Sequence, residues 1–258
     1  MPSTTPSIAL DSPDSVDGRH IRAVTFQRVR MEYVTGLLER LGVGVEGGRA
    51  LVIGGGRGPL AAGLAGLGFA VTAVDPSPDA TALAREAHER AGLAAAIDAR
   101  TAPATELGVD TAAFDLVYAA DTFEVTADLD RAVAEAARAL RPEGLLAYDT
   151  VNRTPVARLI YLGAFQRLGA TRIMPPGRYA AERLRTPDEM AAALTRHGVD
   201  PGAVRAFKPR RVRSLVTATR ARRRGEITDA ELPELVDMVA EPDGKPVVTY
   251  LGYGVRTR

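Results

Sequence analysis

The sequence predicts an α/β fold built on a doubly wound, mostly parallel, seven-stranded sheet, Rossmann-like, with a helix ahead of it and a lid and an insertion behind. Three observations carry this reading. Short apolar runs of strand length alternate with helix-length stretches along most of the 258 residues. The first such run, Arg49 to Ile53, breaks into glycines at alternate positions, Gly54, Gly56 and Gly58. The second, Ala70 to Val74, ends on Asp75, 21 residues past Gly54. A glycine loop between strand and helix lets the backbone turn sharply and lets a ligand approach it. A carboxylate at that spacing meets the two hydroxyls of a ribose. Strand, loop, helix, strand and acid together make a nucleoside-binding half.

The remaining elements follow in order. Residues 1–18, rich in Pro, Ser, Thr and Asp and without the basic start and apolar core of a signal peptide, read as a disordered tail. A helix from about Arg19 to Leu41 carries Val34, Leu37, Leu38 and Leu41 on one stripe. After the first strand, Leu60 to Leu67 starts a helix. Pro76–Asp79 opens the next, which runs through His88 to Ala91, with His88 read as a surface residue. Ala94 to Ile97 is the expected third strand and Asp98 to Thr101 the loop after it. Phe114 to Ala120 is the fourth strand, Leu129 to Leu140 a helix, and Leu145 to Tyr148 the fifth strand. Thr186 caps a further helix ending at His197. Val204–Phe207 and Val247–Val255 complete the strands, and a capping box at Thr228 and Glu231 opens a helix between them.

Composition bounds the chemistry. One well-cored domain from residue 19 to 258 is expected at this length. With 46% hydrophobic and 25% charged residues the chain has the make-up of a soluble globular protein. There are no cysteines, which excludes disulfides, thiolate metal sites and cysteine nucleophiles. Only His20, His88 and His197 titrate near neutrality by default. No run approaches the length of a membrane span, so a cytoplasmic location is expected. The net charge of +1 hides an asymmetry: residues 1–150 hold 13 basic against 21 acidic side chains, and residues 151–258 hold 20 against 11. Thr150 to Ala181 has no acidic residue while five arginines are spread along it, and eight basic residues fall between Lys208 and Arg224. The first segment (about 152–181) reads as a lid over an apolar substrate or a patch in peripheral contact with a membrane surface, or else as an ordinary packed helix pair. The second, a basic insertion spanning about 208–244, offers no aromatic stacking face between Lys208 and Arg224, so no specific nucleic acid is expected.

The glycine spacing is GxGxG, the version seen in class I S-adenosyl-L-methionine (SAM) methyltransferases, and Pro59 departs from the dinucleotide pattern. Four further stretches accompany it, Val29-Arg30-Met31-Glu32-Tyr33-Val34, Asp121-Thr122-Phe123-Glu124, Thr150-Val151-Asn152-Arg153 and Met174-Pro175-Pro176-Gly177, and the last three are fairly specific. Through them the chain resembles the SAM-dependent O-methyltransferases of ubiquinone biosynthesis, which methylate hydroxyls on polyprenylated catechol-like rings. The resemblance implies SAM as cofactor, with Arg30 on its carboxylate, Gly54, Gly56 and Gly58 in the loop beneath it, Asp75 on the ribose, Thr101 and Ala102 at the adenine edge and Ala120 in backbone contact. It implies catalytic roles for Glu124 and Asp121 beside the acceptor. Two positions depart from the family: Val52 stands where an acid is usual, and Val125 stands where a histidine follows the second acid. Two carboxylates alone hold Mg²⁺ only with several waters, so no metal site is expected.

The expected activity is therefore methyl transfer to a hydroxyl of a small, largely apolar aromatic or quinone-like acceptor, in specialised metabolism. Val52 and Val125 leave open an alternative in which the same pocket serves a non-methylating elimination, cyclisation or rearrangement.

Overall fold

The computed structural model describes residues 7–241 and 243–257. Helix α1 (Gly18–Leu41) leads into β1 (Arg49–Ile53), α2 (Pro59–Leu67), β2 (Ala70–Asp75), α3 (Pro78–Arg90), β3 (Ile97–Thr101), β4 (Phe114–Ala119), α4 (Leu129–Ala139) and β5 (Leu140–Val151). Next come α5 (Pro155–Arg158), continued by a π-helical turn at Leu159–Ala164, then α6 (Pro187–Arg196), β6 (Val199–Pro201) and β7 (Arg205–Pro209). The chain closes with α7 (Val212–Arg223), α8 (Leu232–Leu235), β8 (Met238–Glu241) and β9 (Thr249–Arg256).

The strands form one sheet in the order β3-β2-β1-β4-β5-β9-β7-β8, with β6 pairing β9. From β3 to β5 all neighbours are parallel; β9 runs antiparallel to β5, β6 and β7. The order reverses between β1 and β4, and in open α/β sheets ligands bind outside the carboxyl ends of the strands at such a switch point. The seven expected strands are joined by two short ones, β6 and β8, the latter contributed by the basic insertion.

Alternation along the buried strands divides the core. Ala50 and Val52 of β1 and Leu145 and Ala147 of β5 face α1 and α2, whereas Leu51, Ile53, Leu146 and Tyr148 face α4 and α6. Val52 is thus core, fully buried beneath α1.

Three expectations about local structure give way. Ala94 to Ala96 forms a turn, and the third strand is Ile97–Thr101, paired from Ile97 on Val71 to Thr101 on Asp75. It is an edge strand whose polar residues Asp98 and Arg100 alternate outward, so its apolar content is low. His88 is buried under the glycine loop, with Nε2 3.1 Å from the Gly58 carbonyl, and is no surface residue. Most consequentially, the expected tail is packed from residue 7 onward, whereas residues 1–6 lie outside the described residues. Val16 donates to Ser7 O at 2.8 Å, and the Ser15 hydroxyl donates to Ala9 O at 2.9 Å. Buried Asp17 caps α1 by accepting from Arg19 N and His20 N, and also accepts from Asp11 N and Arg57. An N-cap carboxylate satisfies helix amides that have no partner inside the helix. Here one Asp does so while tying the segment to the glycine loop.

Candidate active site

The glycine loop follows β1 with Gly54, Gly56 and Gly58 all at positive φ, between +55° and +87°. At Gly54 a Cβ would fall far inside van der Waals contact with Ala120 O and Thr122 Oγ1, so only glycine lets the loop cross the end of β4. Gly58 abuts His88 in the same manner, and there the loop passes directly into α2 at Pro59.

Two recesses open along this loop. One, with a volume of about 410 Å³, is lined by Gly54, Ala102, Pro103, Asp121 and Thr122 among others; Thr101, one residue earlier, instead donates from its hydroxyl to Thr81. The other is nearly closed, at about 10 Å³, and lies between Arg30, Gly54–Gly56, Ala120 and the first turn of α1. Arg19 lines both.

Asp75 stands where the sequence places a ribose-binding acid, and Gly56 N and Ser77 N each donate to it at 2.9 Å. Its remaining acceptor capacity is taken by Arg19, whose guanidinium grips both carboxylate oxygens while also contacting Asp11. The first turn of α1 therefore supplies the counter-ion of this acid, and Asp11 of the segment read as a tail shares that guanidinium. His20, beside it, is held below its ordinary pKa by burial and by Arg57.

Behind the loop lies a fully buried ionic cluster. Arg22 and Arg30 project from one face of α1, eight residues apart with Phe26 between them, and both guanidinia sit over the Phe26 ring at 5.2 and 5.4 Å from its centroid. Arg30 forks onto Asp149, with Nε and Nη2 at 2.9 and 2.7 Å from its two oxygens, and Nη2 also reaches Asp121 at 2.7 Å. The fork expected for a cofactor carboxylate is thus engaged with Asp149, while Arg30 still lines the smaller recess. Arg22 pairs with Asp121, donates to Glu124 Oε1 at 3.1 Å and donates to the Tyr179 hydroxyl at 2.6 Å. Thr150 Oγ1 donates to Glu124 Oε2 at 3.1 Å.

This arrangement separates the three carboxyls chemically. Burial favours protonating Asp121, but Arg22 and Arg30 outweigh it and hold the group well below the usual carboxylate range. Glu124 is raised by burial, which Arg22 only partly offsets. Asp149 is pushed up to about 7 by burial, with Arg30 opposing and Asp121 adding to the effect. Asp121, held at a positive φ of 47°, stays ionised and is a poor base; Glu124 and Asp149 bind a proton readily. Asp149 and Arg22 escaped the sequence reading, although an aspartate in the apolar run Leu145–Val151 and the Arg22–Phe26–Arg30 spacing were visible signals.

The cluster does not suit a divalent cation. Asp121 and Glu124 already share the Arg22 guanidinium, Val125 adds no donor, and no group of three metal-ligating side chains occurs among the described residues.

On the other side of Arg22 is an apolar cavity of about 400 Å³. Phe26 and Ile21 of α1, Ile160 and Tyr161 of the π-helical turn, Phe207 of β7 and Leu215 of α7 are among its walls. Phe165 and Ile173 of the acid-free segment line it as well, while Met174 is fully buried elsewhere. Gly18 N donates to Ile173 O at 2.9 Å, tying the start of α1 to that segment.

A family profile described as a methyltransferase domain matches residues 51–148. A ubiquinone biosynthesis O-methyltransferase from Agrobacterium fabrum is 30% identical over 182 residues, covering 68% of this chain and 71% of that protein. Its counterpart from Rhizobium leguminosarum bv. trifolii is 32% identical over 156 residues, and the chain spans 60% of that relative's length. Among solved structures, magnesium protoporphyrin IX methyltransferase from Synechocystis with bound SAH superposes with a TM-score of 0.59 at 16% identity, covering 93% of this chain and 86% of that one, a likeness of fold. The glycine loop, the switch-point recesses and these relatives agree: the chain belongs to the class I SAM-dependent methyltransferases, as a diverged relative of the ubiquinone biosynthesis O-methyltransferases.

Proposed function

We propose that the protein is an O-methyltransferase that uses SAM to methylate a hydroxyl of a small, largely apolar aromatic or quinone-like acceptor. One observation carries the reading. Asp121 lines both recesses of the glycine-loop site and pairs with Arg22, which lines the apolar cavity, so the cofactor site and an apolar chamber meet across a single ion pair. SAM supplies a methyl group on a sulfonium, which needs only a correctly placed acceptor oxygen in line with it.

The residues divide the work accordingly. Asp75 receives the ribose hydroxyls once Arg19 withdraws, Ala102 borders the adenine, and Gly54, Gly56 and the Ala120 backbone let the methionine end approach, while Gly58 seats the loop on His88. Arg30 keeps the site positive beside the cofactor carboxylate. Asp121, ionised, faces the cofactor's cationic end, and Glu124 takes the acceptor's proton. An unperturbed phenol has a pKa of about 10, so a base with a raised carboxyl pKa lowers the barrier to forming the reactive oxyanion. The segment 152–181 and the insertion cover the acceptor, which is why the chamber is apolar while their arginines lie elsewhere.

Calorimetry with SAM and SAH, then incubation of methyl-labelled SAM with a panel of phenols and hydroquinones, tests this. Binding followed by label in the product supports the proposal. Absence of binding at millimolar ligand overturns it, and turnover without label assigns the pocket to a non-methylating reaction.

A further inference from the structure

Arg22 is the group whose chemistry the cofactor site leaves unused. Its side chain is 4% exposed, yet it lines the apolar cavity, and its Nε has no hydrogen-bond partner among the described residues. A buried guanidinium N–H without a partner costs free energy comparable to a lost hydrogen bond, and a small shift of the side chain toward the cavity would let a ligand oxygen restore it. Aromatic faces close around the same guanidinium: Tyr161 at 5.0 Å and Tyr179 at 5.7 Å from their centroids, besides Phe26. Such rings exclude water, and in a dry site a cation attracts an anion far more strongly than at the surface.

We infer that Arg22 is the oxyanion-binding residue of the acceptor cavity, holding the acceptor as a phenolate or enolate beside Glu124. The inference rests on the proposed acceptor role of the cavity. The exchange balances. The acceptor O–H gives its proton to a Glu124 carboxylate oxygen, the electron pair remains on the acceptor oxygen, and Arg22 trades one anionic partner for another. Glu124 and Arg22 are 3.1 Å apart, so the buried charge of the pocket is unchanged by the transfer. Asp121 stays on Arg22 throughout and keeps the guanidinium in place. Neutral hydroxyls and amines gain little from such a site, so the cavity selects acceptors by acidity as well as by apolar fit. Chelators should leave this selection untouched.

The test uses 4-nitrophenol, whose phenolate absorbs visible light, and its methyl ether 4-nitroanisole, which cannot ionise. Both fit an apolar cavity. Titrated with the full chain at a pH where the free phenol is mostly protonated, bound 4-nitrophenol should show about a tenfold higher phenolate-to-phenol ratio than the free probe, the weight of one hydrogen bond to a charged group. Arg22→Met should abolish this gain and leave 4-nitroanisole affinity unchanged. Arg22→Lys, a point charge on a different stem, should retain part of it. Leu215→Trp, which fills the cavity and leaves Arg22 in place, should remove binding of both probes, and it keeps the test decisive should Arg22→Met not fold. No saturable binding at millimolar probe, binding without a phenolate gain, or an equal gain in Arg22→Met would overturn the assignment. SAH binding measured on the same samples separates the outcomes: if SAH binds and the phenolate gain is absent, only the role of Arg22 fails, whereas loss of SAH binding by the native chain undoes the methyltransferase reading itself.

Discussion

Replacing Arg19 with alanine should weaken the fold and strengthen the cofactor site at once. Arg19 grips both oxygens of Asp75, a residue 3% exposed, and breaking a buried pair by removing one partner commonly costs about 3–5 kcal/mol. Asp75 keeps two backbone donors, Gly56 N and Ser77 N, so the lower end, about 3 kcal/mol, applies. In a chain of this size that is a fall in Tm of roughly 6–12 °C. The cofactor feels the opposite effect. Ribose hydroxyls must displace the guanidinium from Asp75, and a hydrogen bond to a charged group is worth about 1.5–3 kcal/mol, so a variant with nothing to displace should bind SAH roughly 10- to 100-fold more tightly. Thermal melting without ligand and calorimetry with SAH at one pH measure both. If Arg19→Ala loses stability and also binds SAH more weakly, the guanidinium is a cofactor contact and not its competitor, and the reasoning fails.

Three further outcomes are expected. Gly54→Ala places a Cβ against Ala120 O and Thr122 Oγ1 at φ +78°, adding left-handed strain of roughly 1–2 kcal/mol to a backbone clash, so calorimetry should show SAH affinity falling by about tenfold or more. Glu124→Gln should leave SAH affinity near native while label transfer to any accepted phenol drops by roughly 10²–10⁴, the usual weight of a positioned base; undiminished transfer would remove Glu124 from the chemistry. Asp149 has a folded pKa of about 7, above its unfolded value of ~3.9, so the native state holds the proton more tightly. Its contribution to stability is therefore full below about pH 4 and is lost as the pH rises through 7; raised Glu124 acts in the same sense, and depressed Asp121 acts only in strong acid. The native chain should melt lower at pH 8 than at pH 6, and Asp149→Asn should flatten that difference.

What was legible in the sequence is what repeats or sits close together. The loop from Gly54 to Gly58, the Asp75 beyond it and the parallel strands announce themselves because a buried strand is continuously apolar and a phosphate-free tight turn at its end needs glycine. The third strand was misplaced because an edge strand alternates polar with apolar residues, and Ala94–Ala96 is apolar without being extended. The segment 7–17 looked like a tail because its cohesion is made of charge: Asp11, Asp17, Arg19 and Arg57 pair across the loop, and composition alone cannot show which aspartate meets which arginine. The cluster was illegible for a different reason. Glu124 is 102 residues from Arg22, and Asp149 is 119 from Arg30, separations at which only the folded sheet decides who meets whom.

Helix α1 carries a consequence for which changes of length the chain can accept. Arg19, Arg22 and Arg30 address the ribose acid, the apolar chamber and the buried carboxyls from one continuous rod of 24 residues, and the first and last of them stand about 16 Å apart along its axis. One residue inserted between Phe26 and Arg30 would turn everything beyond it by about 100° and swing Arg30 off Asp149 while Arg19 stayed in place. Helix α1 therefore works as a ruler whose graduations are side chains, and its phase is as much a part of the chemistry as the residues themselves. The stretch from Lys208 to Lys245 contributes walls and no such graduation, so insertions and deletions there change the size of the chamber and leave the spacing of the three arginines intact.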